Sequence, residues 1–166
     1  MTSGSSSIDQ STTVVIFGAS GDLTQRKLIP SLCSLFCKDR LGPEVNIVGM
    51  ARSNISTEEF RASLTRGIDA FEDFSPDTEE LDQFLSRVHY HCGDVSLAND
   101  LKGLEGTLLR IESSANPANR LYYLALAPSL YEPAILNLGA AGLANAAGAW
   151  RRVIIEKPFG SDLASA

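Results

Sequence analysis

The first candidate for a binding site contains two glycines, Gly18 and Gly21, which follow an apolar run in the stretch VVIFGASGDLT. The run is rich in β-branched residues and predicts a buried strand, after which a glycine turn lets the backbone approach a ligand closely. If a helix follows, its first N–H groups and the positive end of its dipole favour a phosphate. Ser20 and Leu23 replace the second and third glycines of the G-x-G-x-x-G fingerprint, so a tight turn that binds nothing is the alternative.

A second candidate lies at the end of the stretch NIVGMARS, where a predicted strand leads into Arg52 and Ser53. Dinucleotide-binding domains specific for NAD usually carry an acidic residue here, which bonds the ribose diol. A guanidinium instead favours a 2′-phosphate through paired charge-assisted hydrogen bonds, whereas a carboxylate would repel that phosphate. The sequence therefore favours NADP over NAD as the cofactor, the alternative being that Arg52 is a solvated surface arginine.

Two further stretches place polar side chains at the ends of predicted strands. In YYLALAPSLYEP, Pro128 ends a strand and Tyr131 can face a nicotinamide pocket; alternatively, a core strand is followed by a helix that starts at the proline. In RRVIIEKPFG, a strand leads into Glu156 and Lys157, and the lysine can hydrogen-bond a substrate hydroxyl or a cofactor amide. The alternative for Lys157 is a simple solvated strand end.

Three cysteines and two histidines raise the question of a metal or redox site. Cys33 and Cys37 share a face at helical spacing, and His89 and His91 share a face of a predicted strand that ends at Cys92. Neither set has the further ligands that a metal site needs, and a buried free cysteine packs as a small hydrophobe. We therefore predict no metal, reduced thiols and ordinary packing roles.

The elements that must position these residues alternate along the chain. Strand-like runs occur at 13–17, 45–50, 88–92, 121–127 and 153–155. Between them the apolar residues repeat at helical spacing, which implies a parallel sheet covered on both faces by helical crossovers. The prediction is a doubly wound, Rossmann-like α/β domain of three αβα layers over residues 12–166, preceded by a disordered serine-rich tail over 1–11. The first helix is predicted to run from about Asp22 or Leu23 toward Asp39, with Gly42 as its end.

Composition argues against several classes of partner. The chain has 166 residues, a formal net charge of −6 at pH 7 and a pI of about 4.9, so it would repel nucleic acid and anionic membranes at long range. No apolar stretch is long enough for a membrane span, and the N-terminal stretch MTSGSSSIDQST lacks the basic and apolar regions of a signal peptide. We expect a cytoplasmic protein with neither nucleic-acid nor membrane partners.

The N-terminal coenzyme domain of the glucose-6-phosphate dehydrogenases is similar, in order and spacing, to four stretches of this chain: GASGDLTQRKLIPSL, VGMARS, NRLYYLALAPSLYE and RVIIEKPFGSDLASA. The resemblance covers Thr13 to Ala166 and implies oxidation of glucose 6-phosphate to 6-phosphogluconolactone with NADP, in the pentose phosphate route. It also implies a set of NADP contacts: Gly18, Ala19, Ser20, Gly21, Asp22, Leu23, Thr24, Gln25, Arg52, Ser53, Asp94, Val95, Tyr131 and Lys157.

The same resemblance assigns roles near the reaction centre. It implies that Lys157 contacts both cofactor and sugar phosphate, and that Lys27 matches a family lysine near the reacting atoms. The family's general base is a histidine in an RIDHYLGKE-like segment, and no segment of this chain matches it. Because proton abstraction must accompany hydride loss, we expect this chain to bind NADP without turnover. We expect it to belong to a longer enzyme with a C-terminal α+β domain for substrate binding and dimerisation, as a homodimer or homotetramer.

Two alternatives stay open at this point. Another group of two-domain sugar oxidoreductases also places an EKP triplet after a strand, although its members usually carry the plain G-x-G-x-x-G turn. A stand-alone NADP-sensing module would need only the glycine turn and Arg52 and would do no chemistry.

Overall fold

A computed structural model describes residues 10–42, 44–71, 74–112, 117–146 and 148–156. Its strands are β1 (Thr12–Phe17), β2 (Val45–Ala51), β3 (Val88–Cys92), β4 (Asn119–Leu124) and β5 (Arg151–Ile155). Its α-helices are α1 (Ile29–Cys37), α2 (Thr57–Asp69), α3 (Thr78–Ser86), α4 (Ala98–Ile111) and α5 (Tyr131–Ala140). A π-helical turn (Thr24–Leu28) precedes α1, and a 3-10 turn (Pro128–Leu130) precedes α5.

The five strands form one parallel sheet in the order β3-β2-β1-β4-β5. β1 lies at the centre, with Val15 opposite Val48 of β2 on one side and Tyr122 of β4 on the other. The strand order reverses at β1, which is the switch point where open α/β sheets bind their ligands. The predicted doubly wound α/β fold is confirmed.

Alternation along β1 divides the core into two clusters, one on each face of the sheet. Val14 and Ile16 pack with residues of α1, α2 and α3, whereas Val15 and Phe17 pack with residues of α4 and α5. Side chains of a strand point to opposite faces at every second residue, so a central strand buried on both faces is apolar throughout. This explains why residues 14–17, which precede the glycine turn, are all apolar.

The first helix begins at Asp22 as predicted, but it differs from the prediction in the geometry of its next turn and in where it ends. It opens with the π-helical turn, and α1 carries Pro30 near its start. A proline ring clashes with the carbonyl of residue i−4, here Arg26, and the widened turn lies where that clash would fall. At the other end α1 stops at Cys37, and Asp39 takes a left-handed φ of 52°, while the N–H of Arg40 donates to Leu35 O at 2.8 Å. Asp39 therefore ends the helix instead of Gly42, because aspartate tolerates this conformation.

The last two strands begin earlier than predicted, and β4 also ends earlier. β4 covers Asn119–Leu124 in place of 121–127, and β5 covers Arg151–Ile155 in place of 153–155. The first residues of both strands are polar or charged, so a prediction from apolar runs did not include them. Val153 and Ile154 are 47% and 39% exposed because β5 is an edge of the described sheet.

Residues 10 and 11 lie against the domain. The Gln10 side-chain amide donates to Gly148 O at 2.8 Å, and Asn119 N donates to Ser11 O at 2.8 Å. The remainder of the segment assigned to the tail lies outside the described residues.

Cys33 is fully buried in the cluster that α1 shares with α2 and α3, as the packing interpretation predicts. Burial raises the pKa of its thiol to about 12, helped by the neighbouring Cys37. Across the described ranges, no group of three or more His, Cys, Asp or Glu residues is arranged to hold a metal ion. Likewise, none of the described helices is long and apolar enough to cross a membrane.

Candidate functional site

A cleft of about 740 Å³ opens at the carboxyl ends of β1, β2, β3 and β4. It lies at the switch point of the sheet, so four strand ends and the turns after them supply its walls. Its lining consists of Gly18, Ser20, Gly21, Met50, Ala51, Arg52, Ser53, Gly93, Asp94, Val95, Ser96, Ala125, Leu126, Ala127 and Leu130. Most of these residues are small, so the backbone forms much of the surface that a ligand would meet.

Gly18 fixes the path of the chain at the centre of the cleft. Its N–H and that of Ala19 both donate to Met50 O, at 3.0 and 3.1 Å, which ties the turn to the end of β2. Gly18 has a φ of +82°, and a Cβ built on it would lie 2.1 Å from Ala125 O. Only glycine satisfies both the left-handed backbone and this close approach to the end of β4.

The start of the first helix presents free backbone donors beside this turn. The helical hydrogen bonds begin with Gln25 N donating to Gly21 O at 3.2 Å, so the N–H groups of residues 22–24 have no intrahelical partner. Thr24 is fully buried and its hydroxyl donates to Gly18 O at 3.2 Å, which holds the turn closed from below. This arrangement of donors and dipole fits the phosphates of a dinucleotide.

Arg52 and Ser53 stand on a fixed backbone at the end of β2. The hydroxyl of Tyr90 lies 3.0 Å from Ala51 O and 2.7 Å from Ser53 O, and burial raises its pKa. The thiol of Cys92 reaches Arg52 O at 3.7 Å. The backbone is thus held from β3, while the side chains of Arg52 and Ser53 are exposed at the mouth of the cleft.

The structure brings seven of the sequence-predicted residues together in the lining: Gly18, Ser20, Gly21, Arg52, Ser53, Asp94 and Val95. Two others, Ala19 and Thr24, are fully buried beneath the turn and support it. Asp22 is exposed and forms a 2.6 Å ion pair with Arg26, outside the lining. Leu23 is half-buried and also lies outside it.

Gln25, predicted to contact the cofactor phosphates, and the two lysines predicted near the reaction centre are placed differently. Gln25 lines a second groove, together with Arg66 of α2, and does not line the cleft. Lys27 is exposed on the π-helical turn outside the cleft lining. Lys157 lies outside the described residues.

Tyr131 faces the strand end of β5 and is not part of the cleft lining. Its hydroxyl donates to Glu156 O at 3.4 Å, and the hydroxyl of Tyr123 donates to the Glu156 carboxylate at 2.5 Å. Burial and this carboxylate raise the pKa of Tyr123 to about 12. Two tyrosines therefore hold Glu156 at the end of β5, and the neighbouring Leu130 occupies the cleft wall in place of Tyr131.

Sequence reasoning missed eight residues of the lining: Met50, Ala51, Gly93, Ser96, Ala125, Leu126, Ala127 and Leu130. All but one lie at or just after the carboxyl ends of strands, and Leu130 ends the 3-10 turn that precedes α5. The rule that ligands bind beyond those ends would have found them once the strand ends were placed correctly.

A known protein family covers nearly the whole of this domain. The family "Glucose-6-phosphate dehydrogenase, NAD binding domain" matches residues 15–166. The chain belongs to this family. It is 39% identical to "Glucose-6-phosphate 1-dehydrogenase" of Schizosaccharomyces pombe over all of its own length and 33% of that relative. It is also 39% identical to "Glucose-6-phosphate 1-dehydrogenase 5, cytoplasmic" of Arabidopsis thaliana, over 94% of its own length and 31% of that relative.

A solved structure, "Glucose-6-phosphate dehydrogenase in complex with its substrate glucose-6-phosphate", matches the fold of this domain with a TM-score of 0.83 and 34% identity. The match covers 95% of this chain and 32% of that one. The chain thus spans about a third of the length of its glucose-6-phosphate dehydrogenase relatives. Membership in the family makes this region a nucleotide-binding domain and removes the other two-domain sugar oxidoreductases from consideration.

Proposed function

We propose that this chain is the domain that holds NADP in a glucose-6-phosphate dehydrogenase, which oxidises glucose 6-phosphate to 6-phosphogluconolactone. One observation carries the proposal: the glycine turn and Arg52 line the same cleft at the switch point of the sheet. The family match and the relatives' names support the parent activity. The matching solved structure is a complex with glucose 6-phosphate, which supports this sugar phosphate as the substrate.

NADP is the proposed cofactor because of the charge at the end of β2. Arg52 and Ser53 offer a guanidinium and a hydroxyl at the mouth of the cleft, where an NAD-specific domain would usually carry an acidic residue. Both groups donate hydrogen bonds, and a 2′-phosphate accepts them. The residues present therefore fit the phosphorylated dinucleotide better than the unphosphorylated one.

The chain's own residues would bind and orient the cofactor. The glycine turn, through Gly18, Ser20 and Gly21, and the positive end of the helix that follows would hold the pyrophosphate, and the buried Ala19 and Thr24 would support that turn. We propose, from the family resemblance, that Lys27, Tyr131 and Lys157 act nearer the nicotinamide and the sugar phosphate. Bound NADP would supply the hydride acceptor.

A titration with two cofactors and two variants tests the proposal. The chain and its Arg52→Ala variant are each titrated with NADP and with NAD by calorimetry. The variant should lose about ten- to a hundredfold in NADP affinity, the range expected for a hydrogen bond to a charged group, and little in NAD affinity. Arg40→Ala removes an exposed arginine outside the cleft and should change neither value.

Equal losses of NADP and NAD affinity in Arg52→Ala would contradict the choice of NADP. A folded chain that binds neither cofactor would contradict the cleft as the cofactor site. The stand-alone sensing module is the second candidate, and it binds NADP without chemistry. Turnover of glucose 6-phosphate by the longer gene product would decide against it.

The proposal extends to the place and assembly of the parent enzyme. The name of the Arabidopsis relative supports a cytoplasmic location. A homodimer or homotetramer is proposed from the family resemblance, and light scattering of the parent enzyme tests it.

A further inference from the structure

The loop after β3, residues 93–96, forms one wall of the cleft and is pressed against the first turn of α4. The N–H of Gly93 donates to Ala51 O at 2.9 Å, which fixes the start of the loop to the end of β2. A Cβ on Gly93 would lie 2.7 Å from Met50 Cε and 3.1 Å from Asp100 Cβ. The backbone at Gly93 therefore packs closely against Met50 and Asp100, and a larger residue would not fit there.

Asp100 holds this loop from α4. One of its carboxylate oxygens accepts a hydrogen bond from Asp94 N at 2.7 Å. The Asp94 carboxylate in turn accepts from the N–H and the hydroxyl of Ser96, at 2.8 and 2.7 Å, and these bonds lower the pKa of Asp94. The loop is thus closed by Asp94 and anchored by Asp100, which is not itself part of the cleft lining.

A chain of hydrogen bonds supports Asp100 from behind. Arg110 donates to the hydroxyl of Thr107 at 3.0 Å, and that hydroxyl lies 3.0 Å from His91 Nδ1. Because the hydroxyl accepts from Arg110, its own hydrogen is free for Nδ1, which leaves His91 Nε2–H to donate to Asp100 O at 3.3 Å. Asp100, in the first turn of α4, is therefore held through its backbone carbonyl by His91 and through its carboxylate by Asp94.

We propose that Asp100 is a positioning residue for the dinucleotide, which acts through the loop 93–96 and does not touch the ligand. This rests on the proposed function, because it takes the cleft as the cofactor site. The 2′-phosphate is assigned to Arg52 and Ser53, whereas Asp100 sets the shape of a wall that both cofactors share. Loss of Asp100 should therefore weaken NADP and NAD by the same factor, unlike loss of Arg52.

Calorimetry of Asp100→Ala and Asp100→Asn with both cofactors tests this inference. Asp100→Ala should lose about tenfold in affinity for each cofactor, and Asp100→Asn, whose amide oxygen still accepts the Asp94 N–H, should lose clearly less. Glu58→Ala is the matched control, because it removes an acidic residue from the first turn of α2 without touching the cleft. It should leave both affinities unchanged. If Asp100→Ala fails to fold, Asp100→Asn tests the inference, because its smaller loss of affinity should still be equal for NADP and NAD.

Unchanged affinities in a folded Asp100→Ala, or a loss confined to NADP, would overturn the inference. In the parent enzyme the same variant should raise KM for the cofactor and leave kcat unchanged, whereas simple loss of folded protein would lower kcat. Hydrogen exchange of the Asp94 amide, measured without cofactor, should be faster in Asp100→Ala, which removes the acceptor, than in the wild type, with Asp100→Asn in between; unchanged exchange in a folded Asp100→Ala would overturn the inference. A wild-type chain that binds neither cofactor would contradict the proposed function, while the exchange measurement would still decide the role of Asp100.

Discussion

Gly67 of α2 packs directly onto Gln25 of the π-helical turn, so closely that a Cβ on the glycine would lie 2.3 Å from Gln25 O. No real Cβ contact is this short, and the atom it would meet is backbone rather than a flexible side chain. The contact joins α2 to the turn that starts the first helix. A change at Gly67 therefore acts on the chain that follows the glycine turn.

Gly67→Ala should destabilise the domain, although alanine is the better helix former by about 1 kcal/mol. Relieving the overlap requires α2 or the π-helical turn to shift, and such overpacking costs about 1–3 kcal/mol. Urea unfolding measures the change. Gly106→Ala in α4 is the matched control, because a Cβ there meets nothing within 4 Å and the substitution should stabilise the chain. Equal effects of the two substitutions would contradict this account.

The buried ion pair between Arg120 and Glu112, at the amino end of β4, should contribute strongly to the free energy of unfolding. Arg120 donates to both carboxylate oxygens of Glu112 at 2.7 to 3.1 Å, and the two side chains are only 4% and 5% exposed. Glu112→Ala leaves the guanidinium buried without this partner and should cost about 3–5 kcal/mol. Arg26→Ala breaks an exposed pair with Asp22 and should cost at most about 1 kcal/mol. Chemical denaturation of the two variants compares these costs, and similar values would refute the difference.

Stability should fall between neutral and mildly acidic pH because of two histidines. Burial lowers the pKa of His89, with the charge of Arg61 adding to the effect, and burial is also the main cause for His91. In the unfolded chain both return to 6.5, so that chain takes up protons that the folded domain does not. The free energy of unfolding is therefore highest above this value and decreases as pH falls through it, by at most about 1.4 kcal/mol per histidine per pH unit.

Urea unfolding at pH 7.5 and pH 5.5 measures this dependence, in the wild type and in a His89→Gln, His91→Gln double variant. Glutamine does not titrate, so the double variant should lose less stability between the two pH values. An identical pH dependence in both proteins would show that the histidines are not responsible.

Much of the fold was predictable from the sequence because the runs that form the strands are largely apolar and helical patterns separate them. Val14 to Phe17 signal a buried strand without any further information, and the turn after them follows from Gly18. The starts of β4 and β5 were not predictable in this way, since Arg120 and Arg151 are charged residues whose partners come from distant parts of the chain.

The cleft was predictable where it depends on turn chemistry and less so where it depends on packing between elements. Gly21 and Arg52 were named from motifs and Asp94 from the family resemblance, and all three line the cleft. Asp100 carries no motif, and its contact with Asp94 appears only when α4 is docked against the end of β3. The π-helical turn was also missed, although Pro30 lies well inside the predicted helix, where a proline signals an irregular turn.

The charges in and around the cleft determine how a charged ligand approaches it. Its described lining carries one cationic and one anionic side chain, Arg52 and Asp94, within a chain of net charge −6. A polyanionic dinucleotide would thus meet a repulsive average field at a distance, and the backbone dipoles of the turn attract it only at contact. Added salt would screen the repulsion and speed encounter. The domain would capture its ligand by short-range fit, without electrostatic steering.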